Sequence, residues 1–227
     1  MPNIFKKRIH IAPVARSAVS VFTAVVLVLV ACAGTAQENM SSFELETSHI
    51  AEALGLNPGM TVADVGAGEG DYSVFLADQV GASGKVYSTE VVDELLAKIR
   101  ENVATRQNVT VILGKRDSAE LPEQCCDRIL LRRVYHHFEH PGPMLQSLLS
   151  SLKPDGVIAI VDFLRADTDL GRPDATPGDH EHGVRIHHLI EEMEKVGFEL
   201  VRQVDDWPSQ VKHGTETDFC ILFRRPI

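Results

Sequence analysis

The sequence predicts an α/β fold: a twisted, mostly parallel seven-stranded sheet flanked by helices, with its last strand antiparallel. Three observations predict it. Short apolar runs of strand length alternate with segments of helical period between residues 62 and 163, the pattern of repeated β-α-β units. The chain's 227 residues, 44% of them apolar, suffice for one such domain with a substantial core and not for two. Only a loop separates the final two strands, and antiparallel neighbours need no helical crossover.

The chain opens with Lys6, Lys7, Arg8 and Arg16 and has no acid before residue 37. Residues 18–31 are almost wholly apolar, short for a membrane span and the right size for the core of an export signal. Positive charge ahead of such a segment stays in the cytoplasm, which places the remainder of the chain on the far side. Leu29-Val30-Ala31-Cys32 resembles the lipobox of bacterial lipoproteins, in which the cysteine becomes the acylated first residue. Gly34-Thr35-Ala36 offers a competing cleavage site, and an uncleaved anchor or a segment never exported stays open. The expectation is a signal or anchor over residues 1–36 and an exported protein, periplasmic or held at the membrane by a lipid on Cys32. A cytoplasmic domain is the alternative.

Residues 37–227 form the expected single domain. They hold 18 basic against 32 acidic residues, a net charge of −14, and no dense basic stretch. Such a body repels phosphate backbones, so nucleic acid is not an expected partner.

Within that domain, residues 45–56 carry Ile50, Ala53, Leu54 and Leu56 at helical spacing, and Asn57-Pro58-Gly59 stops the helix. Residues 62–65 form a buried strand that runs into Gly66-Ala67-Gly68-Glu69-Gly70. A helix from Asp71 turns Tyr72, Val74, Phe75, Leu76 and Val80 inward until Gly81 and Gly84 end it. The second strand spans 85–89 and stops at Glu90; a helix over 93–103 buries Leu95, Leu96 and Ile99. Residues 109–113 make the third strand, left through Gly114-Lys115-Arg116-Asp117-Ser118. The fourth, over 127–131, ends in the polar and aromatic group Arg132 to Phe138. A helix over 144–152 and the turn Lys153-Pro154-Asp155-Gly156 precede the fifth strand, 157–163, with Asp162 near its end. Residues 165–183 show no apolar period and read as an insertion or a lid over the pocket. A helix over 186–196, a strand through Val204, a loop and a last strand over 218–224 complete the chain.

Glycine at every second position after a buried strand lets the backbone turn sharply and approach a ligand closely. The spacing is GxGxG, not the GxGxxG of a dinucleotide site, and Asp64 stands two residues before the first glycine. Glu90, twenty residues beyond Gly70, is placed to accept hydrogen bonds from ribose hydroxyls. These residues resemble the first motif of the class I S-adenosylmethionine-dependent methyltransferases. Tyr135-His136-His137-Phe138, with Glu139-His140-Pro141 directly after it, extends the resemblance, as do the Lys-Pro-Asp-Gly turn and the step Gly197-Phe198. It runs from about Leu54 to Phe223 and implies a Rossmann-like fold. It also implies a cofactor site built from Asp64, Gly66, Gly68, Gly70, Glu90, Asp117 and Ser118, with Glu90 on the ribose and Asp117 on the adenine amino group.

A sulfonium cofactor already carries an activated methyl group, so the protein has chiefly to align a nucleophile and exclude water. Net acidity at the crevice suits such a cation. Tyr135, His136 and His137 are the substrate-facing candidates: a neutral histidine removes a proton from the acceptor, or the three side chains only shape its pocket. The expected activity is methyl transfer from S-adenosylmethionine to a small-molecule acceptor. Two alternatives stay open, a catalytically silent cofactor-binding or envelope protein and an NAD-dependent oxidoreductase. No metal is expected, because His136, His137, His140, His180, His182, His187 and His188 match no metalloenzyme spacing. Cys125, Cys126 and Cys220 read as packed thiols, with a vicinal Cys125–Cys126 disulfide as the alternative.

Overall fold

A computed structural model describes residues 40–164, 183–209 and 217–227. The chain divides into Met1–Ser41 and Ser42–Ile227, and the fold belongs to the second unit. The expected export segment at 1–36, with Cys32, lies outside the described residues, as does the expected lid apart from Gly183.

Helix α1 (Ser42–Leu54) leads into strand β1 (Thr61–Val65), helix α2 (Asp71–Val80), strand β2 (Lys85–Glu90), helix α3 (Asp93–Asn102) and strand β3 (Val109–Leu113). Next come strand β4 (Cys126–Arg132), a single 3₁₀ turn (Tyr135–His137), helix α4 (Pro141–Ser151) and strand β5 (Leu152–Phe163). Helix α5 (Ile186–Val196), strand β6 (Glu199–Val204) and strand β7 (Asp218–Arg224) close the domain. The sheet order is β3-β2-β1-β4-β5-β7-β6. The first five strands pair in parallel, and β7 runs antiparallel to both β5 and β6, as expected.

Parallel strands are covered on both faces, and neighbouring residues of one strand therefore serve two cores. Ile129 and Leu131 of β4 pack with Leu145, Leu148, Leu189 and Met193 under α4 and α5. Leu130, between them, packs with Ile50, Leu54, Leu76 and Val80 under α1 and α2.

Two features differ from the sequence expectation. Lys153-Pro154-Asp155-Gly156 is not a turn ahead of β5 but a bulge within it: Cys126 pairs with Leu152 and Arg128 with Val157, so four residues of β5 lie between the two pairs. Asp155 has a φ of 61°, and a Cβ on Gly156 would stand 2.8 Å from the Lys153 carbonyl oxygen. The bulge brings the Lys153 ammonium to 2.8 and 2.9 Å from the Asp127 carboxylate oxygens.

Tyr72, expected as a plain core residue, belongs to a buried polar cluster. Its hydroxyl donates to Glu46 at 2.8 Å, and the Arg132 guanidinium grips both Glu46 oxygens at 2.8 and 3.0 Å while lying 4.4 Å over the Tyr72 ring. Glu46 is fully buried. Removing one partner of a buried ion pair strands the other charge, at a cost of about 3–5 kcal/mol. Glu46→Ala is therefore expected to lower the urea unfolding free energy by roughly that amount, and Glu46→Gln, which keeps hydrogen-bonding capacity, by less.

Candidate functional site

Connections leave β1 and β4 in opposite directions along the sheet, β1 toward β2 and β3 and β4 toward β5. At this switch point the loops beyond the strands diverge and leave a crevice, which is where open α/β sheets bind ligands. A cavity of about 790 Å³ lies there, at the carboxyl ends of β1, β2 and β4. Pockets for small ligands span roughly 300–1,000 Å³. Gly66, Gly68, Glu90, Asp117, Ser118 and His137 all line it.

The glycine turn takes its shape from β2. The N–H groups of Gly66 and Ala67 both donate to the Thr89 carbonyl, at 2.9 and 3.0 Å. Gly66 has a φ of 71°, and a Cβ there would come within 2.4 Å of Val134 Cγ2, so only glycine lets β1 and the loop after β4 approach this closely. Gly68, at a φ of 58°, has open space where its Cβ would be, leaving bare backbone as cavity wall. Its N–H donates to Glu90 Oε2 at 3.0 Å. The other Glu90 oxygen accepts from the N–H groups of Val91 and Val92, at 2.7 and 3.3 Å, which fixes the carboxylate at the cavity floor.

Lys115 and Arg116, which loosen the match of Asp117 to its family position, are absorbed in a tight turn: Lys115 and Ser118 form an isolated bridge, with Lys115 N–H donating to the Ser118 carbonyl at 2.7 Å. Asp117 thereby stands exposed at the cavity edge. The Ser118 hydroxyl is shared with α4, 3.3 Å from that of Ser147.

Two expected cofactor residues sit behind the cavity wall. Gly70 packs against Ile99: a Cβ there would stand 3.3 Å from the Ile99 Cα. Asp64 is 2% exposed and accepts from the Ser73 hydroxyl at 2.6 Å; that hydroxyl also lies 2.7 Å from Ser88 Oγ. Burial pushes its carboxyl from 3.8 to about 6, against the opposing pull of Ser73 and Arg132.

The three histidine-tyrosine candidates also divide. His137 lines the cavity. Tyr135 turns away, its hydroxyl donating to Glu192 of α5, and burial, then that carboxylate, pushes its ionisation far up. His136 is not among the residues that line the cavity: its Nδ1 is 2.8 Å from Oδ1 of fully buried Asp162, and its backbone N–H is 3.2 Å from Oδ2. Its ring packs edge-on against Phe163. The sequence alone leaves Asp162 facing the substrate or capping the strand edge; the structure pairs it with His136, 26 residues away. Arg133 carries no signal of its own in the sequence. It lines the cavity at a φ of 51° and bonds Asp218 at 2.7 Å. Among the described residues no group of three or more potential ligands converges as a metal site; His180 and His182 lie outside them.

A family model described as a methyltransferase domain matches residues 56–211. The chain belongs to this family. The methyltransferase domain is similar to a solved S-adenosylmethionine-dependent methyltransferase from Aquifex aeolicus, with 26% identity, a TM-score of 0.66, and coverage of 80% of this chain and 90% of that one. It is 34% identical over 117 residues to the tRNA (adenine(58)-N(1))-methyltransferase TrmI of Thermus thermophilus, covering 50% of this chain and 44% of the relative. It is 27% identical over 124 residues to the ubiquinone/menaquinone biosynthesis C-methyltransferase UbiE of Shewanella sediminis, covering 53% and 49%. The chain thus spans about half the length of these curated relatives. Their named acceptors include tRNA, so the comparisons lend no support to the exclusion of nucleic acid.

The residues present fit S-adenosylmethionine. An acidic floor at Glu90 and bare backbone at Gly68 face a cavity of suitable size, and the ionised form of Asp64 behind them suits a cation. The raised carboxyl of Asp64 carries a testable consequence. The unfolded chain releases that proton near 3.8 and the native chain near 6, so native stability falls as pH climbs between those values. At about 1.4 kcal/mol per pH unit of difference, the loss is on the order of 3 kcal/mol. In cofactor-free protein, Asp64→Asn is expected to gain stability relative to the native sequence by about that amount between pH 3.5 and 7, measured by urea unfolding.

Proposed function

We propose that the protein transfers a methyl group from S-adenosylmethionine to a small-molecule acceptor whose attacking atom bears a proton. The observation that carries the cofactor half of the reading is the Glu90 carboxylate held against Gly68 at the floor of the cavity. S-adenosylmethionine, when bound, supplies a methyl group on a cationic sulfur. Glu90 accepts from ribose hydroxyls, Asp117 accepts from the adenine amino group, and Gly66 and Gly68 let the backbone come close. The acceptor half rests on His137, the one of the three candidates that lines the cavity. Asp162 bonds both the ring and the backbone N–H of His136 and so fixes the turn that presents His137, whose ring in its neutral form takes the acceptor's proton. Tyr135 acts through position, pinning the 3₁₀ turn to α5 through Glu192. The net charge of −14 over residues 37–227 supports a small acceptor over a polyanion.

The amino-terminal succession of basic, apolar and small residues supports export, with lipid attachment at Cys32 or ordinary cleavage nearby. Export also favours one second reading, a cofactor-binding protein without turnover, because S-adenosylmethionine is made in the cytoplasm.

Methyl-labelled S-adenosylmethionine supplied with fractionated small molecules, lipids and RNA tests the proposal. Label is expected in a small-molecule or lipid fraction, absent with Glu90→Ala and slowed about 10²- to 10⁴-fold with His137→Ala at unchanged cofactor affinity. Label in RNA alone contradicts the acceptor assignment, and cofactor binding without transfer to any fraction favours the silent reading.

A further inference from the structure

The geometry points to Cys125 and Cys126 as a thiol modification site, at the end of the sheet opposite the cofactor cavity, that small disulfide oxidants close into a vicinal disulfide. Successive side chains of a regular strand point to opposite faces. Here the ladder register shifts between Cys126 and Arg128, Gln124 adopts a φ of 47°, and the two sulfurs come to lie 2.9 Å apart on the same side. The arrangement is held from several directions. Gln124 N–H donates to the Ser150 carbonyl at 2.9 Å, Cys126 pairs with Leu152, and the next residue, Asp127, accepts from Thr61 N–H at 2.8 Å as well as from Lys153.

The two thiols are not equivalent. Cys125 is half-buried, whereas Cys126 is fully buried. The neighbouring Cys126 thiol holds Cys125 below the usual thiol range, burial opposes this, and the Lys153 and Lys85 cations assist. The same contact, with burial, pushes Cys126 up. Nucleophilic thiolates are found in such electropositive, partly exposed settings. Cys220, buried in β7 and pushed up to about 12 by burial, is the inert comparison.

The chemistry balances with the oxidant as the electron acceptor. The Cys125 thiolate attacks one sulfur of oxidised glutathione, forming a mixed disulfide and expelling one glutathione thiolate. Cys126 then loses its proton and attacks the Cys125 sulfur, expelling the second. Two protein thiols are oxidised and one disulfide is reduced to two thiols. Strand β4 separates the pair from the cavity by about 20 Å at roughly 3.3 Å per residue, so this site stands independently of the methyl-transfer reading.

Trypsin releases residues 117–128 as one peptide that contains both cysteines and no other. After treating the full chain with oxidised glutathione and alkylating free thiols, that peptide is expected to be lighter by two hydrogens and unalkylated, and to recover with a thiol reductant. Cys126→Ser is expected to trap a glutathione adduct on Cys125, and Cys125→Ser to leave Cys126 unmodified. Two free thiols under these conditions, a glutathione adduct that never closes in the native sequence, or equal closure in urea-unfolded chain would each overturn the proposal.

Discussion

The Glu90 carboxylate accepts from three backbone N–H groups, those of Gly68, Val91 and Val92, and so ties the end of β1 to the end of β2. The rest of the site depends on this tie. Gly66 and Ala67 hang from Thr89, one residue before Glu90, and Gly68 is left with its backbone bare to the cavity. The parallel pairing of β1 with β2 brings the two strand ends side by side, Val65 against Thr89. A side chain long enough to reach across but anchored at its own strand end then sets the floor of the crevice. Glutamate meets that requirement here through bonds from both of its oxygens.

Behind this floor lies an unusual amount of buried charge. Glu46, Arg132 and Asp64 stand on three elements far apart in the sequence: α1, β4 and β1. The Arg132 guanidinium is neutralised by a bidentate contact with Glu46 and stacks on Tyr72, so its desolvation is largely compensated. Asp64 has only the partial compensation of Ser73, and its carboxyl remains raised. A cationic ligand in the adjacent cavity would relieve that strain, which links the energetics of the cofactor-free fold to the charge of the ligand it is built to receive.

The seven strands, the antiparallel last strand and the cavity position were legible because apolar runs, helical stripes and the glycine turn each report local geometry; the spatial order of the strands was not. Gly66, Gly68, Glu90, Asp117 and Ser118 line one cavity. Asp64 and Gly70 do not line the cavity, since alternation along a strand decides which side a residue faces and the turn residues alone do not report it. The partners of Tyr135, His136 and Arg132 lie 57, 26 and 86 residues away, beyond the reach of periodicity. The bulge in β5 was hidden for another reason: Pro154 and Gly156 are the residues of a turn, and only the register against β4 shows that pairing resumes on both sides.

Calorimetric titration of the folded protein with S-adenosylmethionine, and separately with NAD, tests the central claim most directly. The account predicts saturable binding of one S-adenosylmethionine per chain and no saturable heat from NAD. Binding of NAD instead, or of neither ligand by protein shown to be folded, would contradict it.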